Sequence, residues 1–126
     1  MIPRYKAWDS WRKRMSVVDR IYIDTKGVRL YDDFGEYWRD FSDVELMQST
    51  GLKDKNGKEI FEKDILDYNG RKVIVKWHGS YASFIYEFVD ELQNRTTEWH
   101  PLYLSYYHFE IIGNSLENPE LLEVTE

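Results

Sequence analysis

Apolar and polar residues alternate along this chain with the period of strands. Residues 17–23 are β-branched or aromatic at Val17, Val18, Ile21, Tyr22 and Ile23, and Lys26-Gly27 bounds them. This reads as one strand before a turn, with 28–31 as its hairpin partner and 44–48 as a short strand further on. Residues 65–75 are two β-prone runs joined by Asn69-Gly70. Both residues tolerate positive φ, which suits a type I′ turn between paired strands. Asn56-Gly57 reads as a second such turn. From 82 to 89 the alternation puts Phe84, Tyr86 and Phe88 on one face. Residues 93–95 read as a polar turn, and 102–104 and 108–112 as the last strands. Residues 32–43 mix aromatics with charges and show no clear period, so a loop with one helical turn is expected there. Near the end, Asn118 suits an N-cap, Pro119 a first helical position and Glu120 the positive end of a helix. The expected fold is mostly β: a small barrel-like or sandwich-like domain with a short C-terminal helix. Leu121 and Leu122 imply that this last segment is docked, because burying one leucine is worth about 1.5–3 kcal/mol.

Composition narrows the class. At 126 residues the chain suits one domain, residues 1–126, around one core. With 42% hydrophobic and 17% aromatic residues it has the means to fold. It has no cysteine, which removes disulfides, a thiolate nucleophile and cysteine-ligated zinc, and suits the reducing cytoplasm. The basic N-terminal residues lack the apolar stretch of a signal peptide, and no apolar run approaches the roughly 20 residues that span a bilayer, so no membrane partner is expected.

The net charge of −6 argues against nucleic acid as a partner. Cations gather in the first twenty residues, whereas Glu110, Glu117, Glu120, Glu123 and Glu126 stand at the end without a basic residue among them. The two ends are either separately solvated or attract each other, within one chain or between copies.

A catalytic constellation is hard to assemble. The three histidines, His78, His100 and His108, show no metal-ligand spacing. His108-Phe109-Glu110 resembles a deaminase H-x-E, but that chemistry needs cysteines. Glu98 with His100, and His108 with Glu110, place a carboxylate and an imidazole on one strand face, a pattern more common as surface polarity than as acid–base machinery. Asp32-Asp33 reads as a turn cap, and residues 54–59 as a turn and not an EF-hand loop. No enzyme activity, cofactor or metal is therefore expected.

Two segments stand out as a candidate interaction surface. Arg12, Lys13 and Arg14 lie beside Trp8 and Trp11, a basic-aromatic cluster that would suit a nucleic-acid backbone or else form a solvated turn. Phe34, Tyr37 and Trp38, with Phe41, are interleaved with charges and suit either an interface or a lid over the core.

Three blocks carry a family resemblance. The first is Tyr5-Lys6-Ala7-Trp8-Asp9. The second runs from Leu46-Met47-Gln48-Ser49-Thr50-Gly51-Leu52 through Asp54-Lys55-Asn56-Gly57 to Phe61-Glu62-Lys63-Asp64-Ile65. The third is Glu110-Ile111-Ile112-Gly113-Asn114, then Glu117-Asn118-Pro119-Glu120-Leu121-Leu122. Together they resemble the YopX family of phage and prophage proteins. The resemblance implies a β-rich fold and a phage or integrated-element origin, and it carries no catalytic residues over. The family usually has glycine where this chain has Lys63; a glycine serving positive φ there would leave the lysine mildly strained. The expectation is an accessory or binding protein that works through protein contacts, including a homo-oligomer. A nucleic-acid-binding β-barrel and an Asp/His enzyme are the alternatives.

Overall fold

The computed structural model describes residues 4–92 and 98–123, which form two compact units, Met1–Ser49 and Thr50–Glu126. The first unit is an antiparallel meander of β1 (Tyr5–Asp9), β2 (Arg14–Tyr22), β3 (Gly27–Asp32) and β4 (Gly35–Asp40), followed by a 3-10 turn at Phe41–Asp43. Strand β5 (Val44–Lys53) then returns beside β1, giving the order β4-β3-β2-β1-β5. Alternation decides what is buried. Ala7, Val28 and Leu30 point to one face and form the core, with Val18, Tyr37, Val44 and Leu46 packed on it. A bulge between Val18 and Arg20 shifts the β2–β3 register.

The second unit takes up the end of β5 and its neighbour β6 (Glu59–Phe61). It continues through β7 (Asp64–Tyr68), β8 (Arg71–His78), β9 (Ser83–Phe88), β10 (Trp99–Pro101) and β11 (Glu110–Asn114). The last five form an antiparallel sheet in the order β10-β9-β8-β7-β11. Its core gathers Ile60, Leu66, Val73, Val75, Tyr86, Leu102 and Phe109. Asp54 ties the β5–β6 turn to β11: one carboxylate oxygen accepts the N–H groups of Asn56 and Lys58, both at 2.9 Å, and the other accepts that of Ile111 at 3.0 Å. Asn69 (φ 52°) and Gly70 (φ 87°) make the turn expected between β7 and β8.

Several expectations are corrected. The sheets are open, with no closed barrel, because their end strands pair on one side only. Among the described residues, buried apolar side chains gather in one cluster in each unit. The C-terminal helix is a four-residue 3-10 turn, Pro119–Leu122. Pro119 does stand at its start, but Asn118 makes no side-chain cap; its side-chain oxygen instead accepts the N–H of Asn114. So short a segment cannot repay the cost of nucleating an α-helix. Of the loop expected over 32–43, residues 35–40 are strand β4, entered by a tight turn that Asp32 closes by accepting the Phe34 N–H at 2.8 Å, while the expected helical turn is the 3-10 turn at Phe41–Asp43. Residues 102–104 form a 3-10 turn and not a strand. Trp77, on β8, is 48% exposed. The turn read at 93–95 lies outside the described residues.

Candidate interaction surface

The two segments singled out in the sequence meet at one end of the first unit. The β1–β2 turn and the β3–β4 turn lie side by side because β2 pairs with both β1 and β3, with Asp9 opposite Arg14 and Val17 opposite Tyr31. Arg12 and Arg14 both reach Asp32, at 3.5 and 2.6 Å. The Arg12 guanidinium lies 4.2 Å from the centre of the Tyr37 ring, and that of Arg14 lies 4.8 Å from the Phe34 ring. Arg39 also covers the Tyr37 ring, at 4.8 Å. Such contacts fix arginines that would otherwise sample many rotamers.

Beneath them sits Asp9, fully buried. Its carboxylate accepts the backbone N–H groups of Trp11 and Arg12, at 2.9 and 3.3 Å, and the Arg39 Nε–H at 3.3 Å. Burial alone would raise the pKa of this group. The bonds from the Arg12 and Trp11 backbone and from Tyr37, with the charge of Arg39, outweigh it and hold the carboxyl below its ordinary value. Tyr37 shares a further bond with Ser16, 2.6 Å between hydroxyls. Arg14 Nε is buried and donates to no protein atom among the described residues.

Strand alternation divides the predicted aromatics. Tyr37 and Arg39 share the core face with Asp9, whereas Trp38 lies on the opposite face, over Gly27 and 5.4 Å from the Tyr22 ring. Phe34 and Trp11 project outward, 81% and 72% exposed. Lys13 occupies the turn at φ 53°. Sequence reasoning missed Asp9 and Arg39, which hold the cluster together.

The histidines serve elsewhere. His100 stacks on Tyr86 at 5.1 Å, His108 packs on Tyr107 at 4.2 Å, and His78 Nδ1 accepts the Tyr81 N–H at 3.0 Å. No group of three or more acidic or histidine side chains that would hold a metal occurs among the described residues. No helix among them is long and apolar enough to cross a membrane.

The architecture is that of an all-β protein of two antiparallel units. The YopX protein family model matches residues 4–123, nearly the whole chain, and the protein belongs to that family. It is similar to protein EF1440 from Enterococcus faecalis, known from a crystal structure. The two share 30% identity with a TM-score of 0.63, over 98% of this chain and 99% of that one. No curated protein matches.

Proposed function

We propose that this protein is a phage- or prophage-type accessory module that acts by binding another protein, not by catalysis, and that the paired hairpin turns of the first unit are its contact surface. The observation that carries this reading is the exposure of Trp11 and Phe34 at 72% and 81%, flanking arginines already held by Tyr37, Phe34 and Asp32. Tryptophan, tyrosine and arginine dominate the energetics of protein interfaces, and a pre-ordered cluster loses less entropy on binding. A second copy of the chain is one partner such a surface admits.

Protein is favoured over nucleic acid on electrostatic grounds. Arg12 and Arg14 share one carboxylate, Asp32, and Arg39 is matched by Asp9. Phosphate binding draws on cations free to displace counterions, and here the carboxylates of Asp32 and Asp9 already offset part of that charge, in a chain of net charge −6. A photo-crosslinking residue in place of Phe34, with the full chain expressed in its host, tests the reading. The expected products are discrete protein adducts that disappear when Trp11 is also changed to alanine. Adducts to nucleic acid, or protein adducts indifferent to Trp11, would overturn it.

A further inference from the structure

A pocket of ≈ 310 Å³ opens on the first unit beside the end of β4, lined by Trp11, Trp38, Arg39, Asp40 and Asp43. Its parts come from two segments that hydrogen bonds hold together. Strand β4 ends at Asp40, and the 3-10 turn at Phe41–Asp43 carries the chain round. There the Asp43 carbonyl accepts the Ser10 N–H at 3.0 Å and the Ser10 Oγ–H at 2.7 Å. These bonds fasten the β1–β2 turn, and Trp11 with it, beside the two carboxylates. The Trp38 indole is fixed as well: its Nε1–H donates to Asp40 at 3.3 Å, and its ring lies over Gly27. Trp11, 72% exposed, stacks on no other ring among the described residues.

The charges of this pocket do not balance. Arg39 is engaged inward: its Nε lies 3.3 Å from the Asp9 carboxylate, a terminal N–H donates to the Trp38 carbonyl at 2.9 Å, and its plane covers Tyr37. Arg12 and Arg14 turn to Asp32. Lys13 and Lys26, in neighbouring turns, do not line the pocket. Asp40 and Asp43 are left, and neither forms an ion pair among the described residues. Two carboxylates beside two indoles select a cation, because ring faces carry negative potential just as the carboxylates do.

We propose that this pocket takes an arginine side chain of the partner protein, with the guanidinium face against the indoles of Trp11 and Trp38 and its N–H groups donating to Asp40 and Asp43. The proposal rests on the reading of this end of the first unit as a protein-contact surface, and it names what the partner presents. Shape favours a guanidinium over an ammonium: it is planar, stacks on aromatic faces and offers a fork of donors, whereas a lysine head is compact and strongly hydrated. The volume lies at the low end of the range of about 300–1,000 Å³ for ligand sites and suits one long side chain. The net charge of −6 adds a long-range attraction for a basic partner.

The test is titration of the full chain with the peptide acetyl-Gly-Arg-Gly-amide, followed by the NMR signals of the tryptophan indole N–H groups. Saturable shifts of the Trp11 and Trp38 signals are expected. The citrulline analogue keeps the shape and loses the charge, so it should bind about tenfold more weakly or worse. Asp40→Asn and Asp43→Asn should each weaken the arginine peptide about threefold. Both should leave the fold intact, because Asp43 holds Ser10 through its backbone carbonyl and Asn at position 40 keeps an acceptor for the Trp38 indole. Absence of saturable shifts, or equal affinity for the arginine and citrulline peptides, would overturn the proposal. The crosslinking residue at position 34 separates the two readings. Host-protein adducts that persist undiminished when Asp40 and Asp43 are both changed to asparagine sink the arginine pocket and spare the contact surface. A parent chain that gives no protein adducts sinks the surface, and the partner's arginine with it.

Discussion

Replacing Asp9 tests whether the arginine cluster of the first unit is organised from below. Asp9→Ala removes two main kinds of contact at once, besides that with Tyr37. The first is the cap on the β1–β2 turn, where the carboxylate accepts the Trp11 and Arg12 N–H groups. Both residues are exposed, so water replaces this cap, and its loss costs about 1 kcal/mol. The second is the pairing with Arg39, 23% exposed and 3.3 Å from the carboxylate. Breaking a fully buried pair costs about 3–5 kcal/mol, but a guanidinium with this much exposure rehydrates in part, so about 2 kcal/mol is the better figure. The total is about 3 kcal/mol for Asp9→Ala, and about 2 kcal/mol for Asp9→Asn, which keeps an acceptor for the turn. Urea unfolding at neutral pH measures both. The carboxyl is held below its ordinary value in the folded state, so its contribution is complete above the unfolded pKa of about 3.9 and fades as pH falls through the lower folded value. The gap between parent and Asp9→Ala should therefore narrow in strong acid. If Asp9→Asn unfolds within about 0.5 kcal/mol of the parent, or if the gap does not change with pH, Asp9 does not organise this site.

Three further outcomes follow from backbone and packing. Lys63→Gly should stabilise the chain by up to about 1 kcal/mol, because relief of the left-handed strain slightly exceeds glycine's entropy cost; a lower melting temperature would contradict the strain at φ 68°. Gly70→Val should cost about 1 kcal/mol or more in thermal or urea unfolding, since a β-branched residue resists the φ of 87° in the β7–β8 turn. Gly27→Ala would put its Cβ 1.9 Å from the Trp38 ring. It should cost about 1–3 kcal/mol and shift tryptophan emission as the indole is displaced, and an unchanged spectrum would place Trp38 elsewhere.

What the sequence made legible was mostly local. Asn69-Gly70 announced its hairpin because the φ requirement of the turn is met by those two residues alone. Strand β4 was hidden because neither of its faces is plainly apolar: Tyr37 and Arg39 point to the core side, Glu36 and Trp38 away from it. Alternation was present in 35–40 without a hydrophobic contrast to reveal it. The candidate surface was legible as two pieces, 12–14 and 34–38, and their meeting depended on a register that pairs Val17 with Tyr31, which no local pattern encodes. Asp9 looked like one more surface charge, yet it is buried because β1 places it on the same face as Ala7, at the point where the core gives way to arginine and tyrosine. The C-terminal segment divides the same way. Its leucines signalled docking, and Leu121 does pack where a side chain on Gly113 would stand, at 2.8 Å from that absent Cβ. Its caps signalled a helix, but Asn114 captures the Leu116 and Glu117 N–H groups, at 3.0 and 2.8 Å, and Asn118 turns back to the Asn114 N–H. The Asn118 side chain, the cap a helix beginning at Pro119 would use, is thereby committed to Asn114, and the chain docks its leucines from a single 3-10 turn.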